Sequence, residues 1–127
     1  MTREYIAYEG SEFTIEWYYD DKGKSQALEY FENLDEDHQR KLLMLFQLMG
    51  DIGKIRNREK FNFEDDQIYA FKPMPYRFLS FFFTGRKIIV TNAFVKKQQK
   101  LPKNEKKKAL NCKQNYEIRV EEGEYYE

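Results

Sequence analysis

Tyr76-Arg77-Phe78-Leu79-Ser80-Phe81-Phe82-Phe83-Thr84-Gly85-Arg86-Lys87-Ile88-Ile89-Val90-Thr91-Asn92-Ala93-Phe94-Val95 reads as two β-strands around a tight turn. Tyr76–Phe83 and Lys87–Val95 are rich in aromatic and β-branched residues. Gly85-Arg86 suits a two-residue hairpin loop, with glycine at the first position of a type II′ turn. Counting back from that loop, Thr84 faces Lys87, Phe83 faces Ile88 and Arg77 faces Phe94. A preceding strand, Gln67–Lys72, leads into a turn bracketed by Pro73 and Pro75, neither of which fits a central strand. If that turn occupies Pro73–Tyr76, Lys72 faces Arg77. Lys96, two residues beyond Phe94, shares its face and lies diagonally from Arg77. Lys72, Arg77 and Lys96 thus gather at one end of the sheet, beside an apolar floor of Leu79, Phe81, Phe83, Ile88 and Val90. Like charges so placed repel, and they become useful when an anion enters between them. A bulge would put Lys97 where Lys96 is expected. The plainer alternative is that these charges only protect sheet ends from aggregation.

Working outward, Phe13–Tyr19 alternates as a first strand, and Met1–Ser11 reads as a loose arm. Asp20–Lys24 is a turn, and Ser25 caps a helix carrying Ala27, Leu28, Phe31 and Leu34 at helical spacing. Asp35 caps a second helix with Leu42, Leu45, Phe46 and Met49 on one stripe, ended by Gly50 and Gly53. The two read as an antiparallel helical hairpin. Ile55–Lys60 connects to a short strand at Phe61–Phe63, and Glu64-Asp65-Asp66 reads as a loop. Pro102 opens a helix to about Tyr116, and residues 117–127 form an acidic tail. His38, in the first turn of the second helix, is expected to face solvent. The order β-α-α-β-β-β-α predicts an α+β fold. It comprises an N-terminal strand, a helical hairpin, an antiparallel sheet of about four strands and a C-terminal helix, in one domain over residues 1–127.

The chain has 22 basic and 22 acidic residues, and this balance hides an asymmetry. Met1–Asp37 holds eleven acidic residues against three basic, whereas Phe94–Lys113 holds eight lysines against Glu105 alone. Such separation points to an anionic partner at one face, although a lysine run alone is more often a solvated helix. The single cysteine, Cys112, excludes an internal disulfide and a four-thiolate zinc site. No apolar run approaches the roughly 20 residues of a membrane span. The acidic, polar start does not read as a secretory signal, so the cytoplasm is the expected compartment.

Taken together, Tyr76-Arg77, the strand ending in Phe94-Val95-Lys96-Lys97, then Gln99, Lys100, Pro102, Ala109 and Tyr116, form an ordered set. It resembles the RelE/HigB superfamily of type II toxins, in its HigB-like, phage-derived branch, over Phe13 to Tyr116. The resemblance implies a RelE-like fold and a ribosome-dependent mRNA endoribonuclease that inhibits translation. Its chemistry would be transesterification by the ribose 2′-OH, without metal or cofactor. It implies Arg77 and Lys96 as phosphate clamps, with Lys72 and Lys97 second. Tyr69, Tyr76, Phe94, Lys100 and Tyr116 would contact RNA by stacking, charge or proton relay. Relatives commonly carry Glu-apolar-Arg on the strand before the turn, where this chain has Ala70-Phe71-Lys72. The implied partners are the ribosome, mRNA and a HigA-type helix-turn-helix antitoxin, through which alone operator DNA would be bound, with no membrane role. Two other readings stay open: a gyrase-poisoning toxin on the same fold, and an inactive phage-derived binding protein.

Overall fold

The structure, a computed structural model, describes residues 4–126. Six strands form one open mixed sheet: β1 (Ile6–Glu9), β2 (Thr14–Trp17), β3 (Phe61–Asp65), β4 (Ile68–Phe71), β5 (Tyr76–Phe83) and β6 (Lys87–Val95). Their spatial order is β1-β2-β6-β5-β4-β3. β2 and β6 run parallel; the other neighbours are antiparallel. Three helices complete the chain: α1 (Gln26–Glu32), α2 (Glu36–Ile52) and α3 (Lys103–Glu121).

Side chains alternate across a strand, so the buried central strands feed two cores. On one face Trp17, Phe71, Phe78, Ile88 and Val90 meet Ala27 of α1 and Leu42, Leu45, Phe46 and Met49 of α2. On the other, Ile68, Ala70, Leu79, Phe81 and Ile89 meet Ala109 and Tyr116 of α3, with Tyr125. The sheet is therefore a middle layer between α1/α2 and α3. The α+β class stands, but the sheet has six strands and is mixed, not four and antiparallel. Nor do α1 and α2 pack together as the expected antiparallel helical hairpin: α1 rests on β6, and α2 on β1 and β2.

Several local expectations need correction. Residues 6–9 of the expected arm form edge strand β1, because Trp17 N donates to Tyr5 O (2.7 Å) and the ladder continues from Ile6 to Glu9; residues 1–3 of that arm lie outside the described residues. Ser25 caps α1 through its hydroxyl, as its position suggests. Asp35 occupies the N-cap of α2, but its carboxylate goes to His38 rather than to a backbone N–H. Gly50 lies inside α2, and Gly53, at φ 90°, ends it in the left-handed conformation that glycine tolerates. Glu64 and Asp65 belong to β3, not to a loop; the turn is Asp66-Gln67, both at positive φ. Pro102 is the N-cap of α3, which runs past Tyr116 through the acidic stretch to Glu121. Tyr125 then turns back beneath the helix and is fully buried, so the segment ends in an aromatic anchor. No helix among the described residues is long and apolar enough to cross a membrane.

The central hairpin contains two departures that cancel. Phe83 pairs with Lys87, so the loop is three residues, Thr84-Gly85-Arg86, and the register near it is one off the expected count. A bulge between Leu79 and Ser80 on the β5 side, where Val90 and Asn92 are successive partners, restores the count. Arg77 therefore still faces Phe94. Ile88 and Val90, however, point to the α1/α2 face, away from the expected cationic floor. Ile89 takes their place beside Leu79 and Phe81.

Candidate active site

The bulge at Thr91 is anchored from three sides. Thr91 Oγ1 donates to Leu79 O at 3.2 Å. The Gln26 side chain clamps Ala93, accepting from its N–H (2.7 Å) and donating to its carbonyl (2.8 Å). Asn92 Nδ2 donates to Glu105 O (3.2 Å) and Oε1 (3.1 Å), tying β6 to the first turn of α3. These ties fix where β6 ends and how residues 96–102 cross to the helix. Lys96 N donates to Pro75 O at 2.9 Å, extending the β5–β6 pairing past Val95.

The result is a cleft of about 130 Å³ on the α3 face, lined by Lys72, Arg77, Lys96, Lys100, Glu64 and Asn62, with Leu79, Phe94, Gln99, Leu101 and Pro102. Phe71 pairs with Phe78, so Lys72, the next residue, lies across from Arg77 as expected. Four cations thus converge against one carboxylate. Arg77 is 5% exposed. Its Nη1 donates to Tyr76 O (2.9 Å) and to Met74 Sδ (3.2 Å), and among the described residues it forms no ion pair within 4 Å. Burial lowers its pKa, opposed by the charge of Glu64, yet a guanidinium keeps its proton at any ordinary pH. A buried cation with no close counter-charge is expensive unless an anion completes the site.

The Lys72 side chain is 12% exposed, and its Nζ sits 4.0 Å from Glu64 Oε1 and 3.1 Å from Arg58 O. Its pKa is lowered, first by burial and then by the charges of Arg77 and Lys96, with Glu64 opposing. Folding therefore weakens its hold on a proton, and the unfolded chain binds that proton more tightly. By linkage, this group's contribution to stability rises as pH climbs from the folded pKa to the ordinary lysine value, and it is a penalty below that window. Lys72→Met should raise stability at pH 7 by about 1 kcal/mol, the scale of common stabilising substitutions. The gain should shrink at pH values near the ordinary lysine pKa. Thermal unfolding of both proteins across pH checks it; a Met variant less stable at pH 7 would contradict this account.

The other candidates divide by face. Phe94 and Lys100 line the cleft with the three expected cations. Lys97 points elsewhere and lines a separate hollow with Gln26 and Tyr30. Tyr76 lies on the α1/α2 face, 5.9 Å from the Tyr30 ring. His38 packs edge-on against Tyr76 at 5.0 Å and is half-buried, not solvent-facing. Tyr69 joins an aromatic row on that same face, with Phe82 at 4.9 Å and Phe63 at 5.3 Å. Tyr116 is fully buried under α3 and shares a 2.6 Å hydrogen bond with Tyr126; burial pushes its hydroxyl up to about 12. Two cleft residues escaped sequence reasoning: Asn62, whose Oδ1 is buried without a hydrogen-bond partner among the described residues, and Glu64. Both come from β3, and the alternation Asn62-x-Glu64 was the one available signal.

Every residue lining the cleft falls between Asn62 and Pro102. Residues 29–114 match the family described as phage derived protein Gp49-like, covering more than half of the chain and the entire cleft. The chain belongs to that family. The Gp49-like family is one of the RelE/ParE-like families of toxin–antitoxin systems. An antitoxin partner goes with such a family. β1 and β2 precede the Gp49-like match. No curated protein matches the chain.

Proposed function

We propose that this Gp49-like protein is a HigB-type toxin that cleaves mRNA on the ribosome, its whole chain acting as one RelE/HigB-like unit. The observation that carries the reading is the buried Arg77, without an ion pair among the described residues, set among three lysines. A phosphodiester brings one negative charge to such a place, and attack by the neighbouring 2′-OH adds a second on the phosphorane. Pre-placed cations bind the second charge more strongly than the first, which lowers the barrier. Arg77 holds the phosphate through its planar fork, while Lys72, Lys96 and Lys100 act as point charges around it. The partner is a HigA-type antitoxin, which contacts operator DNA for the pair.

The test is to induce the chain in a bacterium without its antitoxin and map new mRNA 5′ ends against reading frame. In-frame cuts within translated regions support the reading. Growth arrest with intact mRNA and DNA-damage signalling supports gyrase poisoning instead, and no arrest supports an inactive binding protein. Affinity for programmed ribosomes should also fall steeply with salt. Four phosphate-facing cations predict a log–log slope of about −3 on single-stranded RNA. A flat salt titration of binding would refute the electrostatic account.

A further inference from the structure

Five ionisable side chains line the cleft: Lys72, Arg77, Lys96, Lys100 and Glu64. Among the described residues no tyrosine or histidine reaches it. Tyr69, Tyr76 and His38 sit on the opposite face, and Tyr116 lies beneath α3. Proton transfer in the cleft therefore falls to Glu64 and the lysines, because arginine does not give up its proton. Glu64 also has an unusual origin. The β3–β4 ladder pairs Phe63 with Tyr69 and Asp65 with Ile68, so Glu64 is the extra residue of a bulge. Bulges are over-represented beside functional sites and at sheet edges. Glu64 keeps the face of Asn62, and its carboxylate reaches Lys72 Nζ at 4.0 Å by the end of β4. Ala70, paired with Asn62, presents only a methyl group between them.

We infer that Glu64 is the general base of RNA cleavage, working with Lys72 as the general acid. The inference rests on the ribonuclease reading above. The Glu64 carboxylate takes the proton of the ribose 2′-OH. The freed oxygen forms a bond to the adjacent phosphorus, and the bond from phosphorus to the 5′-oxygen breaks. Lys72 gives that oxygen a proton, leaving a 2′,3′-cyclic phosphate and a 5′-hydroxyl end. Glu64 then passes its new proton to Lys72 across the gap between them, and both return to their starting charge. The lowered pKa of Lys72 makes its proton easier to donate, while Arg77, Lys96 and Lys100 stay charged on the phosphate.

Single-turnover cleavage of mRNA on programmed ribosomes tests this with the full chain. Glu64→Gln should slow cleavage by about 10²–10⁴-fold, the range for loss of a general base, while the protein still folds, with a somewhat lower melting temperature because the cations lose their carboxylate, and binds ribosomes no more weakly. Glu64→Asp should keep part of the rate, and formate should accelerate Glu64→Ala but not the wild type. Wild-type rates in Glu64→Gln, or a Glu64→Ala variant indifferent to formate, would overturn the assignment while leaving the ribonuclease reading intact. A wild-type chain that leaves mRNA uncut would overturn both.

Discussion

Arg77→Ala is expected to lower mRNA cleavage by about 10²–10³-fold, the loss seen when one preorganised transition-state donor is removed, and to abolish growth arrest on induction. The side chain is buried, held by Tyr76 O and Met74 Sδ, and has no ion-pair partner among the described residues. Its removal deletes the cleft's guanidinium fork. Arg77→Lys should recover little, because an ammonium cannot grip two phosphate oxygens in one plane. Stability should move much less than activity. Truncation leaves a small cavity, which destabilises, but it also removes a desolvated charge, which stabilises. Cleavage assays paired with thermal melts decide the matter: an active, well-folded Arg77→Ala protein would refute the phosphate-clamp role.

Gly10→Ala is expected to do the opposite, damaging the fold far from the cleft. A Cβ at Gly10 would lie 2.2 Å from the carbonyl carbon and oxygen of Gly50 in α2. That carbonyl is already engaged, accepting from Glu12 N (2.7 Å) and Phe13 N (2.9 Å). Gly50 is itself pinned, since a Cβ there would meet the Tyr8 ring at 2.7 Å. Backbone presses on backbone, so no rotamer change relieves the clash. The substitution should destabilise the protein by about 3 kcal/mol, at the upper end for overpacking. The melting temperature should drop by roughly 10 °C. The surviving folded fraction should cleave RNA at the wild-type rate. A melt within a degree or so of wild type would mean that β1 and its turn can shift off α2.

How far the fold could be read from the chain depends on where each element finds its partners. The β5–β6 hairpin was legible because its residues alternate strongly and its partner is next in sequence. Even there, the two-residue loop was wrong by one, and only the bulge at Thr91 brought Arg77 back opposite Phe94. The longer loop also turns Ile88 and Val90 to the α1/α2 face. β1 was missed because Ile6–Glu9 has little strand signal of its own; β2 on one side and α2 beneath hold it in place. The last turn of α3 looks like a tail in sequence because its surface is acidic, while Tyr125, which anchors the segment, sits beyond it in a polar stretch.

The same division runs through the site. Sequence by itself determined that Lys72 and Arg77 would face each other, because antiparallel pairing between neighbouring strands is nearly an arithmetic relation between residue numbers; Lys96 joins them because the bulge at Thr91 offsets the longer loop. It also determined that this end of the molecule would be cationic. Only the tertiary structure decided that the cations face α3 rather than α1 and α2, and that Lys97, Tyr69 and Tyr76 turn away from them. It alone brought Asn62 and Glu64 in from the sheet edge. A single bulge residue reverses the side to which a strand's side chains point, and such a bulge depends on hydrogen bonds from distant residues such as Gln26 and Glu105. Local sequence carries the pairing; the face that each pair presents is settled by what packs on either side of the sheet.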